Sequence, residues 1–304
     1  TFLTVYKIDG LYLFAALVVA LLPWYLHSWR IHNLTVFIKQ PTDLKTCFKI
    51  AVGVDLGAAI TPTAFGGSPV KIGMYMDEGI KPAKAISLTL FTSVEDTTFF
   101  IISTILAFVF VQPAFLHESF NLLKIHINLS QVLVGVGLTL VAILIFYFFM
   151  RLFGRNLLAF SWFRKIYRLY LATIRDIIKL LILITKEGKK VFFINVTLAA
   201  IQWMSKYLVM YFLLLGIGIE MPFWEVFLLQ IVIFILMNFV PTPGAAVGAE
   251  TIFYIVFSQF LPTAIILPIT SAWRLLTFYL QLAIGSGIFI FLNSKKLKIE
   301  TEEV

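Results

Sequence analysis

Residues 61–67 read Thr61-Pro62-Thr63-Ala64-Phe65-Gly66-Gly67, and a related stretch in the second half of the chain reads Pro241-Thr242-Pro243-Gly244. Each stretch interrupts an apolar run, and proline breaks a helix because it lacks the backbone N–H. A bilayer has no water to satisfy the freed backbone groups, so such a break persists at membrane depth only where protein or a polar cavity surrounds it. Paired breaks in the two halves of a membrane protein indicate a substrate site between two repeats. We therefore predict broken-helix tips at Thr61, Pro62, Gly66, Gly67, Pro241, Thr242, Pro243 and Gly244. The alternative for the glycines is close packing between helices.

The composition is that of a membrane protein. Of the 304 residues, 60% are hydrophobic and 13% are charged, whereas a soluble domain has about 25% charged residues. The mean hydropathy is +0.96. Apolar runs near the ~20 residues that a spanning helix needs occupy residues 11–25, 86–111, 132–150, 191–216 and 265–292. We predict an all-α, polytopic membrane helix bundle that forms a single membrane domain over residues 1–304. The one cysteine, Cys47, excludes an internal disulfide.

The net charge of +8 reflects orientation in the membrane rather than binding to nucleic acid. Residues 151–190 contain ten Lys or Arg against two acidic residues, and connections rich in Lys and Arg stay in the cytoplasm. Three lysines within residues 295–298 place the carboxyl terminus on the same side, as does the connection after the first span, which includes Arg30. The basic side chains of residues 151–190 follow one stripe of a helix, which predicts a cytoplasmic amphipathic connector. Its charges either bind anionic lipid headgroups or only face water.

A shift of 179 positions superposes the two interrupted stretches. Under this shift Pro62 meets Pro241, Lys71 meets Glu250 and Glu95 meets Arg274. The span at residues 86–111 follows Lys81 and Lys84 and so runs outward from the cytoplasm. Its counterpart at residues 265–292 precedes Lys295 and so runs inward. Related segments in opposite directions are typical of an inverted repeat. We predict a first repeat element at residues 51–111 and a second at residues 225–292, each with a broken re-entrant hairpin followed by a full span. Chance similarity between apolar sequences is the alternative.

Polar and ionisable side chains cluster near both interruptions. A charge in the bilayer costs about 2.5–3.5 kcal/mol and usually pairs with another charge or faces a cavity. We predict one polar cleft between the repeats that binds a lipid headgroup through Asp55, Lys71, Glu95, Asp96, Asn238, Glu250 and Arg274. The alternative is structural ion pairing, for example of Glu95 with Arg274 and of Lys71 with Glu250.

The histidines give no indication of a metal site. Their positions, which we predict to lie in loops, are His27, His32, His117 and His126. They do not have the spacing of metal ligands. We therefore expect neither a metal nor a cofactor.

Several stretches resemble signatures of the flippase-like membrane family that includes the transmembrane part of bacterial lysylphosphatidylglycerol synthases. They are residues 61–71 with Gly79-Ile80 and Lys84-Ala85, residues 240–250, residues 273–279, and the early dipeptide Trp29-Arg30. The resemblance covers nearly the whole chain. It implies movement of an anionic or aminoacylated phospholipid, or of a lipid-linked precursor, between the leaflets of a prokaryotic cytoplasmic membrane.

The chain departs from the family pattern in three respects. Asp96 stands after Glu95 where members often have arginine. Members usually have another amino-terminal span, which we expect to precede residue 1. We expect no soluble aminoacyl-transfer domain after the last span, and therefore no aminoacylation of lipids by this polypeptide.

The leading expectation is therefore a lipid flippase or lipid transporter. Its partners would be membrane phospholipids, with a lipid-modifying enzyme as a further candidate partner and monomer or dimer left open. No nucleotide-binding loop of the form Gly-x-x-x-x-Gly-Lys-Ser/Thr occurs. The second class is an intramembrane lipid-modifying enzyme, although Ser68, which follows two glycines, has no evident base. The third class is a channel or a structural partner of a lipid synthase.

Overall fold

The computed structural model describes residues 8–110, 174–179, 182–237, 240, 242–258 and 260–302, together with the single positions 141 and 171. Three sequence predictions fall outside these residues. They are the span at 132–150 apart from position 141, most of the connector at 151–190, and the site residues Asn238 and Pro241. The described chain is almost entirely helical, which confirms the prediction of a helix bundle.

The described residues include nine α-helices of ten residues or more and one π-helical turn. In chain order they are α1 (Gly10–Phe37), α2 (Leu44–Ala59), α3 (Gly67–Asp77), α4 (Pro82–Phe110), α5 (Lys189–Gly216), α6 (Phe223–Met237), α7 (Gly248–Phe257), α8 (Thr263–Arg274), the π turn (Leu275–Tyr279) and α9 (Leu280–Glu302). Residues 174–179 and 182–187 are also helical. Asp9 and Asp43 begin α1 and α2, because each carboxylate accepts hydrogen bonds from the free N–H groups of the first turn.

Four helices in the described part of the chain are long and apolar enough to cross a bilayer. They cover Gly10–Phe37, Pro82–Leu106, Lys189–Gly216 and Thr263–Phe291. Four of the predicted apolar runs overlap these helices, and the fifth lies outside the described residues. The chain therefore has the architecture of a multi-pass membrane protein.

The first span is longer than the sequence predicted. The apolar run ends near residue 25, yet α1 continues to Phe37 and includes His27, Arg30 and His32. The predicted loop positions of His27 and His32 are therefore wrong, as is the assignment of Arg30 to a cytoplasmic connection. Arg30 can lie at a buried position of this helix because two carboxylates of α4 pair with its charge.

Both proline- and glycine-rich stretches interrupt helices, the first between α2 and α3 and the second between α6 and α7. In the first interruption the Thr61 hydroxyl donates a hydrogen bond to the Gly57 carbonyl and accepts one from the Gly66 N–H, both at 2.8 Å. This side chain satisfies backbone groups that the break frees from the helix. Gly66 also packs against α2, since an added Cβ would lie 2.5 Å from the Gly57 carbonyl oxygen. The two interpretations of this glycine, helix break and close packing, therefore both hold.

The two interruptions touch each other. Pro62 and Pro243 form an isolated antiparallel backbone bridge. Within the two interruptions, four residues other than glycine have positive φ values between 50° and 66°: Thr63, Ala64, Ala245 and Val247. Such conformations cost about 1–3 kcal/mol each and persist only where surrounding structure holds them. The contact between the two interruptions is part of that surrounding structure.

Two apolar cores meet along α1. One core joins α1 to α2, α3 and α4, and the other joins α1 to α5, α6, α7 and α8. The amino end of α1 is tied to the carboxyl end of α5, because the Asp9 N–H donates to the Gly216 carbonyl at 2.9 Å. The first interruption connects two helices of the first core, α2 and α3, and the second connects two helices of the other core, α6 and α7.

Candidate functional site

A cavity of about 280 Å³ lies between the two interruptions. Thr63 and Ala64 line it from the first interruption, and Gly244 and Ala245 line it from the second. The remaining wall comes from α1, α2, α5, α6 and the region around the π turn, and it is mostly apolar. Small-molecule sites usually measure about 300–1,000 Å³. The cavity therefore suits a headgroup better than a whole lipid with its acyl chains.

Three charged side chains line this cavity: Asp55 of α2, Lys206 of α5 and Arg274 at the end of α8. The Trp24 indole N–H donates to Asp55 Oδ2 at 2.9 Å. The Lys206 ammonium lies 4.8 Å from the centre of the Trp203 ring, within the range of a cation–π contact. The wall thus presents charge of both signs in apolar surroundings.

Arg274 connects the second interruption to the long helix that follows it. Its Nε lies 2.8 Å from Glu250 Oε1, and its Nη2 donates to the Gly244 carbonyl at 3.1 Å. The guanidinium also lies 4.3 Å from the centre of the Phe278 ring. The π turn begins at the next residue, and single π turns inside α-helices are frequent at functional sites. Arg274 is therefore held in place by contacts on several sides.

A second polar cluster surrounds Arg30, which is completely buried. Its Nη2 lies 2.9 Å from Glu95 Oε2 and its Nη1 lies 2.8 Å from Asp96 Oδ1. Gln202 of α5 accepts a further hydrogen bond from Arg30 at 2.9 Å, and Asn195 of the same helix donates to Glu95 Oε1 at 2.8 Å. These contacts join α1, α4 and α5 through one network of ion pairs and hydrogen bonds.

Lys71 of α3 is buried beside this cluster without a carboxylate partner among the described residues. Its Nζ lies 3.1 Å from His27 Nε2 and donates to the Thr92 hydroxyl at 3.1 Å. Because an ammonium only donates, His27 Nε2 must accept and its ring must be the neutral Nδ1–H tautomer when Lys71 is charged. The helix after the first interruption is thereby tied to α1 and α4.

The structure distributes the predicted site residues over three places. Asp55 and Arg274 line the cavity; Lys71, Glu95 and Asp96 belong to the polar network around Arg30; Glu250 pairs with Arg274 beside the second interruption. The Trp203 indole, which lines the cavity, donates to Asp96 at 3.0 Å and so connects two of these places. The pairs suggested from the sequence, Glu95 with Arg274 and Lys71 with Glu250, are not the pairs that form.

Two charged residues of the site were missed by the sequence reasoning. Lys206 lies within the apolar run 191–216, so the argument that singled out Arg274 applied to it equally. Arg30 was assigned to a connection because the apolar run before it ends early. Among the described residues, no group of three or more His, Cys, Asp or Glu side chains is placed to hold a metal ion.

Comparison with known proteins places this sequence in a family. The family described as the lysylphosphatidylglycerol synthase TM region matches residues 4–285. A protein described as "UPF0104 membrane protein" from Archaeoglobus fulgidus is 22% identical over 302 residues, and the alignment covers 94% of this chain and 88% of the relative. The match includes both interruptions, all the charged residues of the cavity and the network around Arg30.

Proposed function

This chain belongs to the lysylphosphatidylglycerol synthase TM region family, and from that membership we propose that it is a lipid flippase or lipid transporter. It moves a phospholipid or a lipid-linked precursor between the leaflets of the membrane. The headgroup crosses through the cavity between the two interruptions while the acyl chains stay in the bilayer. The membrane is the prokaryotic cytoplasmic membrane, with the carboxyl terminus on the cytoplasmic side as the basic residues indicate.

The order of the helices supports an inverted repeat as the basis of this function. A shift of 179 positions takes the start of α2 at residue 44 to the start of α6 at residue 223. Under the same shift α3 and α4 begin within two residues of α7 and α8. Each copy then consists of a short helix, an interruption, a second short helix and a long span. In transporters built from such repeats, the substrate site lies between the interrupted helices.

The observation that carries the proposal is the cavity itself. It is lined by both interruptions at once, and it combines apolar walls with charged side chains of both signs. A lipid headgroup has this mixed character, and free backbone groups at broken helices provide further polar partners.

The proposal is tested by lipid exchange in proteoliposomes. The purified chain is reconstituted into phosphatidylcholine vesicles with a trace of fluorescent phosphatidylethanolamine or phosphatidylglycerol, and dithionite is added to bleach the outer leaflet. We expect the protein to make inner-leaflet label accessible faster than in protein-free vesicles. Equal rates in the two kinds of vesicle would contradict the proposal.

A charge-neutral double variant locates the pathway. Removing Arg274 alone would leave Glu250 without its partner, so the variant combines Arg274→Met with Glu250→Gln. We expect this variant to fold and to exchange lipid more slowly, because the second interruption loses its contact with the long helix. The matched control is Arg175→Met, an exposed arginine outside the cavity, which should exchange lipid at the unmodified rate.

A further inference from the structure

We propose that Asp55 and Lys206 make this cavity selective for a dipolar headgroup, in which a phosphodiester pairs with Lys206 and a primary ammonium pairs with Asp55. The inference rests on the proposed function, since it names the substrate class of the same cavity. It assigns phosphate binding to Lys206. It assigns ammonium binding to Asp55, whereas the other acidic residues of the site pair with arginines of the protein.

The inference starts from the charges that already have partners. Arg274 is paired with Glu250, and Arg30 is paired with Glu95 and Asp96. Asp55 and Lys206 remain as the charged residues of the cavity wall that have no ion pair among the described residues. Together they contribute one negative and one positive charge to the cavity.

These two charges do not neutralise each other. They line the same cavity but form no salt bridge. An unpaired charge in apolar surroundings is costly, and truncating or omitting its partner leaves that cost uncompensated. A ligand that carries both charges satisfies both residues at once, whereas an anionic headgroup satisfies Lys206 and is repelled by Asp55.

Each charge is held by a tryptophan. Trp24 donates its indole N–H to Asp55 at 2.9 Å, and Lys206 lies over the ring of Trp203. Trp203 is itself fixed, because its N–H donates to Asp96, which is paired with Arg30. The buried network around Arg30 therefore positions Lys206 through Trp203. Charges held in this way need little reordering when a ligand binds, which favours affinity.

Binding of short-chain lipids to the full chain in detergent micelles tests the inference by calorimetry. The probes are dihexanoyl phosphatidylethanolamine, which carries a phosphate and an ammonium, and dihexanoyl phosphatidylglycerol, which carries the phosphate alone. We expect the ethanolamine lipid to bind about tenfold more tightly, the ratio that one charge-assisted hydrogen bond typically supplies. Equal affinity for the two lipids, or tighter binding of the glycerol lipid, would overturn the inference.

Substitutions test which residue binds the ammonium of the headgroup and which binds the phosphate. We expect Asp55→Asn to abolish the preference, because it weakens binding of the ethanolamine lipid and removes the repulsion of the glycerol lipid, and we expect Lys206→Gln to weaken binding of both lipids. The controls are Asp77→Asn and Lys190→Gln, exposed residues of the same types outside the cavity, the second on the same helix as Lys206. The inference fails if Asp55→Asn keeps the preference or if Lys206→Gln binds both lipids as the unmodified chain does.

A charge swap keeps the test decisive if a single variant folds poorly. The double variant Asp55→Lys with Lys206→Asp preserves the charge balance and should regain a preference for the ethanolamine lipid over Asp55→Lys alone. Failure to regain it contradicts the inference. Selective binding without lipid exchange in vesicles would refute the proposed function but not this site. Lipid exchange without headgroup selectivity would support the proposed function and refute this site.

Discussion

At the scale of single residues, Arg30 explains how a charge is accommodated inside the bundle. It is completely buried, and two carboxylates and a glutamine surround its guanidinium. The sequence identified Glu95 and Asp96 as unusual but could not identify their partner. Arg30 is 65 positions away from Glu95, and only the packing of α1 against α4 brings the two together. Pairing between distant residues depends on tertiary packing, which residue spacing does not specify.

Removing Arg30 should destabilise the protein severely. We expect Arg30→Met to lower the free energy of unfolding by about 3–5 kcal/mol, because the buried carboxylate of Glu95 and the partly exposed carboxylate of Asp96 lose their partner. The measurement is denaturation in mixed micelles. Arg175→Met, at an exposed position, is the control and should change stability little. Adding Glu95→Leu and Asp96→Asn to Arg30→Met should restore much of the loss; if Arg30→Met alone is neutral, the network is not what holds α1 to α4.

At the scale of helices, the sequence located both interruptions correctly because proline removes a backbone donor. It did not predict the π turn at Leu275–Tyr279, which contains neither proline nor glycine. The sequence also did not predict where α1 ends. Polar residues after an apolar run occur both where a helix stops and where it continues with its charged side chains buried in ion pairs, so the sequence does not distinguish the two cases. Local chemistry therefore predicts where helices break better than where buried helices end.

Gly244 should tolerate no side chain. Its φ is +59°, and an added Cβ would overlap the ring of Phe278. We expect Gly244→Ala to cost about 1–3 kcal/mol of stability through overpacking and to slow lipid exchange, because the Arg274 contact with the Gly244 carbonyl is displaced. The matched control is Gly287→Ala in α9, where a Cβ meets nothing within 4 Å. Equal stability and exchange in the two variants would show that the second interruption is not tightly fitted.

At the scale of the whole molecule, the sequence predicts two repeated elements whose interruptions meet at one site, but it does not predict which residues of the two interruptions touch. The predicted repeat rests on the spacing of proline, threonine and ionisable residues. The contact arises only when the two apolar cores meet along α1 and bring Pro62 to Pro243. Lys206 lines the cavity but lies outside both predicted repeat elements, residues 51–111 and 225–292. A search for site residues within those elements therefore misses it.

Passage of a headgroup between the interruptions requires them to separate. Because proline has no N–H, Pro62 and Pro243 must form a non-hydrogen-bonded pair, with Cα atoms about 4.5 Å apart. This separation is compatible with a disulfide. Cysteines at both positions can therefore lock the contact, in a background where Cys47→Ala removes the native thiol, with each single cysteine as a control.

Lipid exchange by the Pro62→Cys, Pro243→Cys protein, measured in proteoliposomes before and after reduction, is the most direct test of a pathway between the two interruptions. We predict that the oxidised protein exchanges lipid no faster than protein-free vesicles, and that reduction restores exchange to the rate of the single-cysteine controls. Exchange by the fully cross-linked protein at the rate of the reduced protein would contradict the account.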